Sequence, residues 1–245
     1  MSRFSRETFF EIPGLWYFVI DDESETPPTM KSLIDLLKKV PIDLGQGSVA
    51  DRTEGKRIAK RLTPEGVNRH ALDLGARYGA QTQWLREQGY EVTSVDVDPR
   101  FVGCDRLDAN AVLPYEDETF DFVWCSEVIE HLENPAFSLS ELIRVTKLGG
   151  RLILTTPNSY MWLFSFLNLI GLTPQKLQRD DHLHFFDLAG VKALHADAEI
   201  LGYFPYAGFK LTVRSDWMLK WLTPTFVIQI DRPAAASTNS VRKEG

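Results

Sequence analysis

The sequence predicts an α/β protein built on a doubly wound, mostly parallel sheet. From about residue 51, short apolar segments alternate with amphipathic ones, which is typical of strand–helix–strand units. Right-handed crossovers between such units bring successive strands side by side and parallel. A chain of 245 residues, 44% of them hydrophobic, can bury one such core with additions. A ligand crevice is therefore expected at the carboxyl ends of the strands.

Each predicted element has its own signal. Buried strands are short, apolar and rich in β-branched residues, and such segments lie at 70–74, 91–96, 120–126 and 151–157. Amphipathic helices are predicted at 51–62, 80–88, 135–147 and 187–201. Gly89 and Gly202 are expected to end two of these helices, and Asp187 to cap the start of the last one.

Changes in composition predict the domain boundaries. Residues 1–50 are irregular and aromatic, and we interpret them as a cap over the ligand site or as the contact of a homodimer. Residues 51–230 form the predicted main domain. Residues 231–245 lack periodicity, so a flexible tail is expected there.

An apolar segment, "MWLFSFLNLIGL" at 161–172, predicts a helical insertion after the strand at 151–157. It is too short to cross a bilayer alone, since a spanning helix needs about 20 residues. Trp162, Phe166 and Leu169 share one face of such a helix. This face either packs on the sheet or belongs to a lid that excludes water and meets an apolar substrate or a membrane surface.

Charge and cysteine content limit the classes of partner. A formal charge of −7 provides no general attraction to nucleic acid. One basic cluster has helical spacing and is interpreted as a solvated helix face; it contains Arg52, Lys56, Arg57, Lys60 and Arg61. The two cysteines suit a reducing compartment, so a cytoplasmic location is expected.

The stretch "ALDLGARYG" at 71–79 predicts a ligand-binding turn. After a buried strand, Gly75 lets the backbone approach a ligand, and the next helix offers unpaired N–H groups there. Asp96 ends the second strand, where an acid can accept hydrogen bonds from a ribose diol. The pattern therefore favours a nucleoside ligand.

Later motifs add a family resemblance. "CDRLDANAVLPYEDETFDFVWCSEVIEHLENP" and "LGGRLILTTPN" resemble class I S-adenosylmethionine-dependent methyltransferases, in a ubiquinone-pathway-like or saccharide-modifying branch. The latter motif resembles the family's fifth strand, so the insertion follows that strand. The resemblance implies S-adenosyl-L-methionine as cofactor. It also implies these cofactor-binding residues: Arg52, Asp73, Gly75, Arg77, Gly79, Asp96, Val97, Asp108, Ala109 and Ser126.

Arg77 stands where the family has the middle glycine of the turn. A non-glycine residue is expected to avoid positive φ here and to crowd the methionine end of the cofactor. Its side chain either points to solvent or pairs with the cofactor carboxylate by a charge-assisted hydrogen bond. Arg52, on the helix before the first strand, competes for that second role.

The catalytic candidates follow the fourth strand and the insertion. Methyl transfer to a hydroxyl requires removal of a proton, and imidazole ordinarily titrates near neutral pH, so His131 is the first candidate base. The other candidates are Glu127, Glu130, His182 and His184. In a strand-like segment His182 and His184 would share a face, but no metal site is predicted. For each candidate, a capping or structural role remains the alternative.

The predicted function is methylation of a small molecule or glycan, most often at oxygen, by an S-adenosylmethionine-dependent enzyme. A sugar hydroxyl, a quinone-like phenol and a lipid-linked intermediate all remain open as acceptors. The alternatives are a non-catalytic cofactor-binding protein that serves a partner, and an RNA-modifying methyltransferase.

Overall fold

The computed structural model describes residues 53–169, 171–178, 181–204 and 211–234. The helices in these ranges are α1 (Glu54–Leu62), α2 (Ala80–Glu87), α3 (Pro135–Val145), α4 (Trp162–Leu169), α5 (Pro174–Leu177), α6 (Leu188–Leu194) and α7 (Asp216–Leu222). The strands are β1 (Arg69–Leu74), β2 (Tyr90–Asp96), β3 (Asp105–Arg106), β4 (Phe120–Ser126), β5 (Thr146–Pro157), β6 (Glu199–Phe204), β7 (Leu211–Val213) and β8 (Thr225–Asp231). A 3-10 turn, Ile129–His131, follows β4.

The sheet has the strand order β3-β2-β1-β4-β5-β8-β6-β7. Strands β3, β2, β1, β4 and β5 are mutually parallel, whereas β8 runs antiparallel to both β5 and β6. The prediction of a doubly wound, mostly parallel sheet is therefore confirmed. The order reverses direction beside β1, so the carboxyl ends of β1, β2, β4 and β5 border the expected crevice.

Both faces of the sheet are buried. On one face Leu72 and Leu74 join a large aliphatic cluster with α3 and α6. On the other face Ala71 lies in a second cluster with Trp124, below α1 and α2. Because successive strand residues point to opposite faces, these strands read as continuous apolar runs. Burial on both faces fixes the register that aligns the strand ends at the crevice.

The predicted helix over 187–201 is wrong in its second half. Helix α6 ends at Leu194, and Glu199–Phe204 forms β6. Ile200 pairs with Ile228 and Leu201 with Val227 on β8. Burial against the sheet overrides the helical pattern there, because strand preference depends on the packing available at the site.

The C-terminal part of the domain contains elements that the sequence did not indicate. Strand β7, helix α7 and strand β8 all follow residue 210, and β8 closes the sheet against β5. The Arg232 N–H donates to Gly150 O at 2.9 Å and the Gly149 N–H donates to Arg232 O at 3.0 Å, so the expected tail does not begin at residue 231. The predicted N-terminal extension, Arg52 and residues 235–245 lie outside the described residues.

Candidate functional site

The turn after β1 is tight and depends on its glycines. Gly75 has φ +84° and Gly79 has φ +81°, a region in which side chains are disfavoured. The Gly75 and Ala76 N–H groups both donate to Val95 O, at 2.9 and 3.1 Å. A Cβ on Gly75 would come within 2.3 Å of Val128 Cγ2. The turn therefore touches the loop after β4, and the two halves of the predicted site adjoin.

Arg77 also has positive φ, at 38°, so the expectation that a non-glycine residue excludes this conformation is wrong. Its backbone N–H donates to Asp96 Oδ2 at 3.0 Å, and its carbonyl accepts the Arg100 N–H at 2.8 Å. The guanidinium lies over the Tyr78 ring, 5.3 Å from its centroid. Two backbone hydrogen bonds thus hold the strained residue while its side chain is exposed.

Asp96 lies at the end of β2 with its carboxylate fixed by the backbone. Besides the Arg77 N–H, it accepts the Asp98 N–H on Oδ1 at 2.7 Å. Each carboxylate oxygen can accept a second hydrogen bond, so the group remains able to receive a diol. The exposed Val97 side chain follows directly and provides an apolar surface beside the carboxylate.

The predicted Asp108–Ala109 pair lies in a loop anchored to α3. Asp108 Oδ1 accepts from the Asn110 N–H at 2.9 Å, which fixes the turn. The Ala109 carbonyl accepts from Ser138 Oγ at 2.9 Å. The loop is therefore positioned by the domain core and not by Asp108 alone.

Asp73 is buried beneath the glycine turn. Thr82 Oγ1 donates to its Oδ2 at 2.6 Å, and Ser94 Oγ lies 2.8 Å from Thr82. Burial raises the pKa of Asp73 to about 6, although the Thr82 hydrogen bond and the charge of Lys56 act against this rise. Asp73 therefore supports the turn from below.

Two residues near this turn were missed in the sequence. Lys56, on α1, acts electrostatically on Asp73. The amide of Gln81, in the first turn of α2, is buried, and neither its nitrogen nor its oxygen has a partner among the described residues. A buried amide without a partner is costly, which makes Gln81 a candidate for hydrogen bonding to a ligand.

The basic cluster on α1 is largely engaged within the domain. Arg57 and Arg61 each lie 3.4 Å from the Glu54 carboxylate. Lys60 lies over the Trp84 ring, 4.7 Å from its centroid. These contacts agree with a solvated helix face rather than a nucleic-acid interface.

The β4 strand ends in a hydrogen-bonded pair with β5. Glu127 has φ 57°, and its N–H donates to Thr155 O at 2.9 Å. Thr155 Oγ1 donates its proton to Glu127 Oε1 at 2.9 Å. Ser126 Oγ is therefore the donor in its 2.7 Å contact with Thr155 Oγ1. The carboxylate of Glu127 is thereby held at the carboxyl ends of β4 and β5.

Glu130, His131 and His182 form a compact cluster. One potential ligand atom from each lies within 4.8 Å of those of the other two. The two imidazole rings meet edge to face with centroids 4.7 Å apart. Thr156 Oγ1 donates to Glu130 Oε2 at 3.1 Å, which attaches the cluster to the end of β5.

A hydrogen bond fixes the tautomer of His131. Its Nδ1 lies 2.8 Å from the Asp181 carbonyl oxygen, which can only accept, so Nδ1 carries the proton and the neutral ring has its lone pair on Nε2. His182 Nδ1 lies 3.3 Å from Gln178 Oε1. Ser159 Oγ donates to the same Gln178 oxygen at 3.0 Å. Three residues of this region were not predicted from the sequence, and their only signal is a position at the end of β5 or after it: Thr156, Ser159 and Gln178.

His184 does not join this cluster. Its Nε2 lies 3.4 Å from Glu133 O, and its ring stacks on Phe186 with centroids 6.0 Å apart. Residues 181–187 contain no strand, so the prediction that His182 and His184 share a strand face is wrong. Instead the Leu183 and His184 N–H groups donate to Glu130 O at 2.9 and 3.0 Å and hold this segment against the 3-10 turn.

The apolar face predicted for the insertion is exposed. On α4, the exposed fractions are 43% for Trp162, 57% for Phe166 and 83% for Leu169, and the neighbouring α7 adds Trp217 at 65%. We call these four residues the apolar surface. The interpretation that this face packs on the sheet is wrong, because its side chains are exposed, and Phe164 is the buried side chain of α4. Among the described residues, no helix combines the length and apolar character needed to cross a bilayer.

Comparison with known proteins finds similarity to methyltransferases. Residues 72–154 match the family described as "Methyltransferase domain". Ubiquinone biosynthesis O-methyltransferase of Xylella fastidiosa (strain M23) is 28% identical over 128 residues, which is 46% of this chain and 51% of that protein. Chloroplastic tocopherol O-methyltransferase of Arabidopsis thaliana is 26% identical over 180 residues, 61% of this chain and 48% of that protein.

A solved structure has the same fold. The S-adenosylmethionine-dependent methyltransferase from Archaeoglobus fulgidus aligns with a TM-score of 0.54 at 17% identity, covering 73% of this chain and 93% of that one. The chain spans about half the length of the curated relatives it matches. The solved structure shows that the chain has the fold of class I methyltransferases, and residues 72–154 are similar to the methyltransferase domain family.

Proposed function

We propose that this protein transfers the methyl group of S-adenosylmethionine to a hydroxyl oxygen of a small-molecule acceptor. The observation that carries the proposal is the adjacency of two groups of residues. The glycine turn touches Val128, and the 3-10 turn that directly follows Val128 carries Glu130 and His131. A cofactor on the turn would therefore present its methyl group to this loop.

The residues on the cofactor side fit S-adenosylmethionine. Asp96 has acceptor capacity for the ribose hydroxyls, and Val97 offers an apolar surface to the adenine. The turn between Gly75 and Gly79 brings backbone N–H groups close to the ligand. When bound, the cofactor supplies an electrophilic methyl group on a positively charged sulfur.

The methionine carboxylate of the cofactor needs a cationic partner. Arg77 is a poor candidate, since its guanidinium lies on Tyr78. Lys56 is better placed, because its charge reaches Asp73 directly under the turn. The amide of Gln81 is a second candidate at this end of the site.

The acceptor hydroxyl is activated at the Glu130–His131–His182 cluster. An oxygen attacks the methyl carbon only if its proton is removed, and a positioned group contributes about 10²–10⁴-fold to such a step. His131 is partly exposed and keeps a lone pair on Nε2. In this proposal, that lone pair accepts the proton of the acceptor hydroxyl.

An amphipathic acceptor is the class that suits the surroundings best. The cluster and its partners Thr156, Ser159 and Gln178 are polar, whereas the apolar surface lies on the insertion that follows β5. The similar proteins are named for ubiquinone and tocopherol, which are rings with long apolar chains. We infer that such an acceptor reaches the site from a lipid surface that α4 and α7 contact.

Methyl-labelled cofactor tests this proposal. The protein is incubated with labelled S-adenosylmethionine and with the lipid and aqueous fractions of a cell extract, and label is expected in a lipid-fraction component as a methyl ether. Label in a sugar of the aqueous fraction would show that the acceptor is a glycan and not an amphipathic molecule. Binding of S-adenosylhomocysteine without label in any fraction would favour a non-catalytic cofactor-binding protein.

A further inference from the structure

Gln178 is a buried amide with only one of its two polar ends engaged. The residue is 2% exposed. Its Oε1 accepts a hydrogen bond from Ser159 Oγ at 3.0 Å and lies 3.3 Å from His182 Nδ1. Its Nε2 is buried as well, but this atom has no hydrogen-bond partner within the part of the chain that the structure describes. Buried polar groups are ordinarily paired, so the unpaired amide nitrogen calls for an explanation.

The position of the amide places this nitrogen near the proposed acceptor. His182 connects Gln178 with His131, because the two imidazole rings meet edge to face with centroids 4.7 Å apart. Ser159 lies just after the carboxyl end of β5, and its backbone N–H donates to Phe186 O at 2.9 Å. Gln178 therefore lies between the end of β5 and the segment of His182, next to the residues that we propose activate the acceptor.

The contacts within the protein explain only the oxygen of this amide. A single acceptor oxygen would suffice for Ser159 and His182. The –NH2 group adds nothing to these contacts, and burying a donor without a partner lowers stability. A group of this kind next to a proposed reaction site is therefore a candidate for binding a ligand.

We propose that the –NH2 group of Gln178 donates a hydrogen bond to the acceptor molecule, at an atom other than the hydroxyl that is methylated. An amide N–H can only donate, so its partner is an oxygen that accepts, such as that of a carbonyl, an ether or a second hydroxyl. Gln178 thus selects acceptors that carry a second oxygen. This inference rests on the proposed function, because it concerns the acceptor of the same reaction.

The burial of the nitrogen determines how strong this selection is. A donor at the surface gives up a hydrogen bond to water when a ligand binds, which makes the net gain small. Gln178 Nε2 is closed off from solvent, so it gives up no such bond. Access to it requires a local rearrangement of side chains, which is common at binding sites. Acceptors that differ only in the second oxygen should therefore differ by about 10–100-fold in affinity.

Binding of paired phenols to the protein saturated with S-adenosylhomocysteine tests this selection without methyl transfer. The members of each pair have similar shapes and differ in one oxygen. They are meta- and para-hydroxyacetophenone against the isopropylphenols of the same substitution, and ortho-methoxyphenol against ortho-ethylphenol. In ligand-detected NMR titrations, at least one oxygen-bearing phenol should bind about 10–100-fold more tightly than its counterpart. The absence of a preference in every pair would overturn the role of Gln178.

Three variants separate contact with the acceptor from a structural role. Gln178→Met removes the amide at nearly constant length and should abolish the preference. Ser159→Ala removes a hydrogen bond to the amide oxygen but keeps the nitrogen, so the preference should persist. Gln83→Met is the matched control, because Gln83 is exposed and its amide donates to Glu87 Oε1 at 3.1 Å. An equal preference in Gln178→Met and Gln83→Met would overturn the proposal, and so would its loss in Ser159→Ala.

Circular dichroism and S-adenosylhomocysteine affinity identify variants that fail to fold, and the comparison of phenols in the unchanged protein needs no variant. Transfer of label to extract components separates this inference from the proposed function. A preference that depends on Gln178, without label in any extract fraction, would support the inference and contradict the proposed function. Label in a lipid component, without a preference among the phenols, would support the proposed function and overturn the inference.

Discussion

The two halves of the proposed site are held together by different means. On the proposed cofactor side, backbone N–H groups of nearby residues fix the geometry: those of Arg77 and Asp98 orient Asp96. On the proposed acceptor side, side chains from distant segments converge, as His131 and His182 do. Cofactor binding should therefore depend on the turn and on Asp96, whereas acceptor activation should depend on the side chains that these distant segments bring together.

The largest expected effect is that of His131→Asn. Turnover should fall by about 10²–10⁴-fold, because the lone pair that acts on the acceptor hydroxyl is lost. Affinity for S-adenosylhomocysteine, measured by calorimetry, should change less than about twofold. Loss of cofactor affinity in parallel with turnover would mean that the two halves are not separate.

Asp96→Ala, in contrast, should mainly lower the affinity for S-adenosylhomocysteine. Removing the carboxylate eliminates hydrogen bonds to the ribose worth about 1.5–3 kcal/mol, or about 10–150-fold in affinity. Asp98→Ala is the matched control, since the Asp98 side chain pairs with Arg100. Equal affinities in the two variants would refute the ribose assignment.

Asp73 allows a test by pH. Its pKa is raised from 3.8 to about 6, mainly by burial. The folded chain therefore binds this proton more tightly than the unfolded chain, so the free energy of unfolding falls as the pH rises from about 4 to 6, and the deficit persists above pH 6. Asp73→Asn should then unfold with up to about 3 kcal/mol more free energy at pH 7.5 than the unchanged protein.

The stabilisation in Asp73→Asn should nearly disappear at pH 3.5, where Asp73 of the unchanged protein is protonated in the folded chain and mostly protonated in the unfolded chain. Denaturant unfolding at the two pH values measures this. A stability difference that does not depend on pH would contradict the role of burial.

The smallest effect is expected at Arg77. Arg77→Gly relieves a positive φ that costs a side-chain-bearing residue about 1–2 kcal/mol, offset by the flexibility of glycine at about 0.5–1 kcal/mol. Stability should therefore rise by at most about 1.5 kcal/mol. Arg77→Ala keeps the strain and removes only the guanidinium, so weaker binding of S-adenosylhomocysteine in both variants would revive the carboxylate-pairing interpretation.

The apolar surface extends the comparison beyond the site. Trp162→Ser should reduce pelleting with liposomes, because tryptophan anchors proteins at lipid interfaces. Val67→Ser, a change at another exposed apolar residue, in the loop before β1, should leave pelleting unchanged. Equal pelleting of both variants would show that the apolar surface does not bind a lipid surface.

The cofactor side of the proposed site could be predicted from the sequence. Its residues lie at or next to strand ends, and local patterns reveal both the strands and the turns between them; they are Asp73, Gly75, Gly79 and Asp96. The meeting of Glu130 with His182 depends on how the chain returns after β5, which no local pattern records. The exposure of Trp162 could not be predicted for the same reason. Apolar spacing indicates that a helix has an apolar face, but it does not indicate which element packs against that face.

Methyl transfer at the Glu130–His131–His182 cluster is tested by a single-turnover experiment. The unchanged protein and His131→Asn are loaded to equal occupancy with methyl-labelled S-adenosylmethionine and mixed with the lipid fraction of a cell extract. We expect rapid labelling of one lipid component by the unchanged protein and at least about 100-fold slower labelling by the variant. Equal labelling rates in the two proteins would show that His131 does not activate the acceptor.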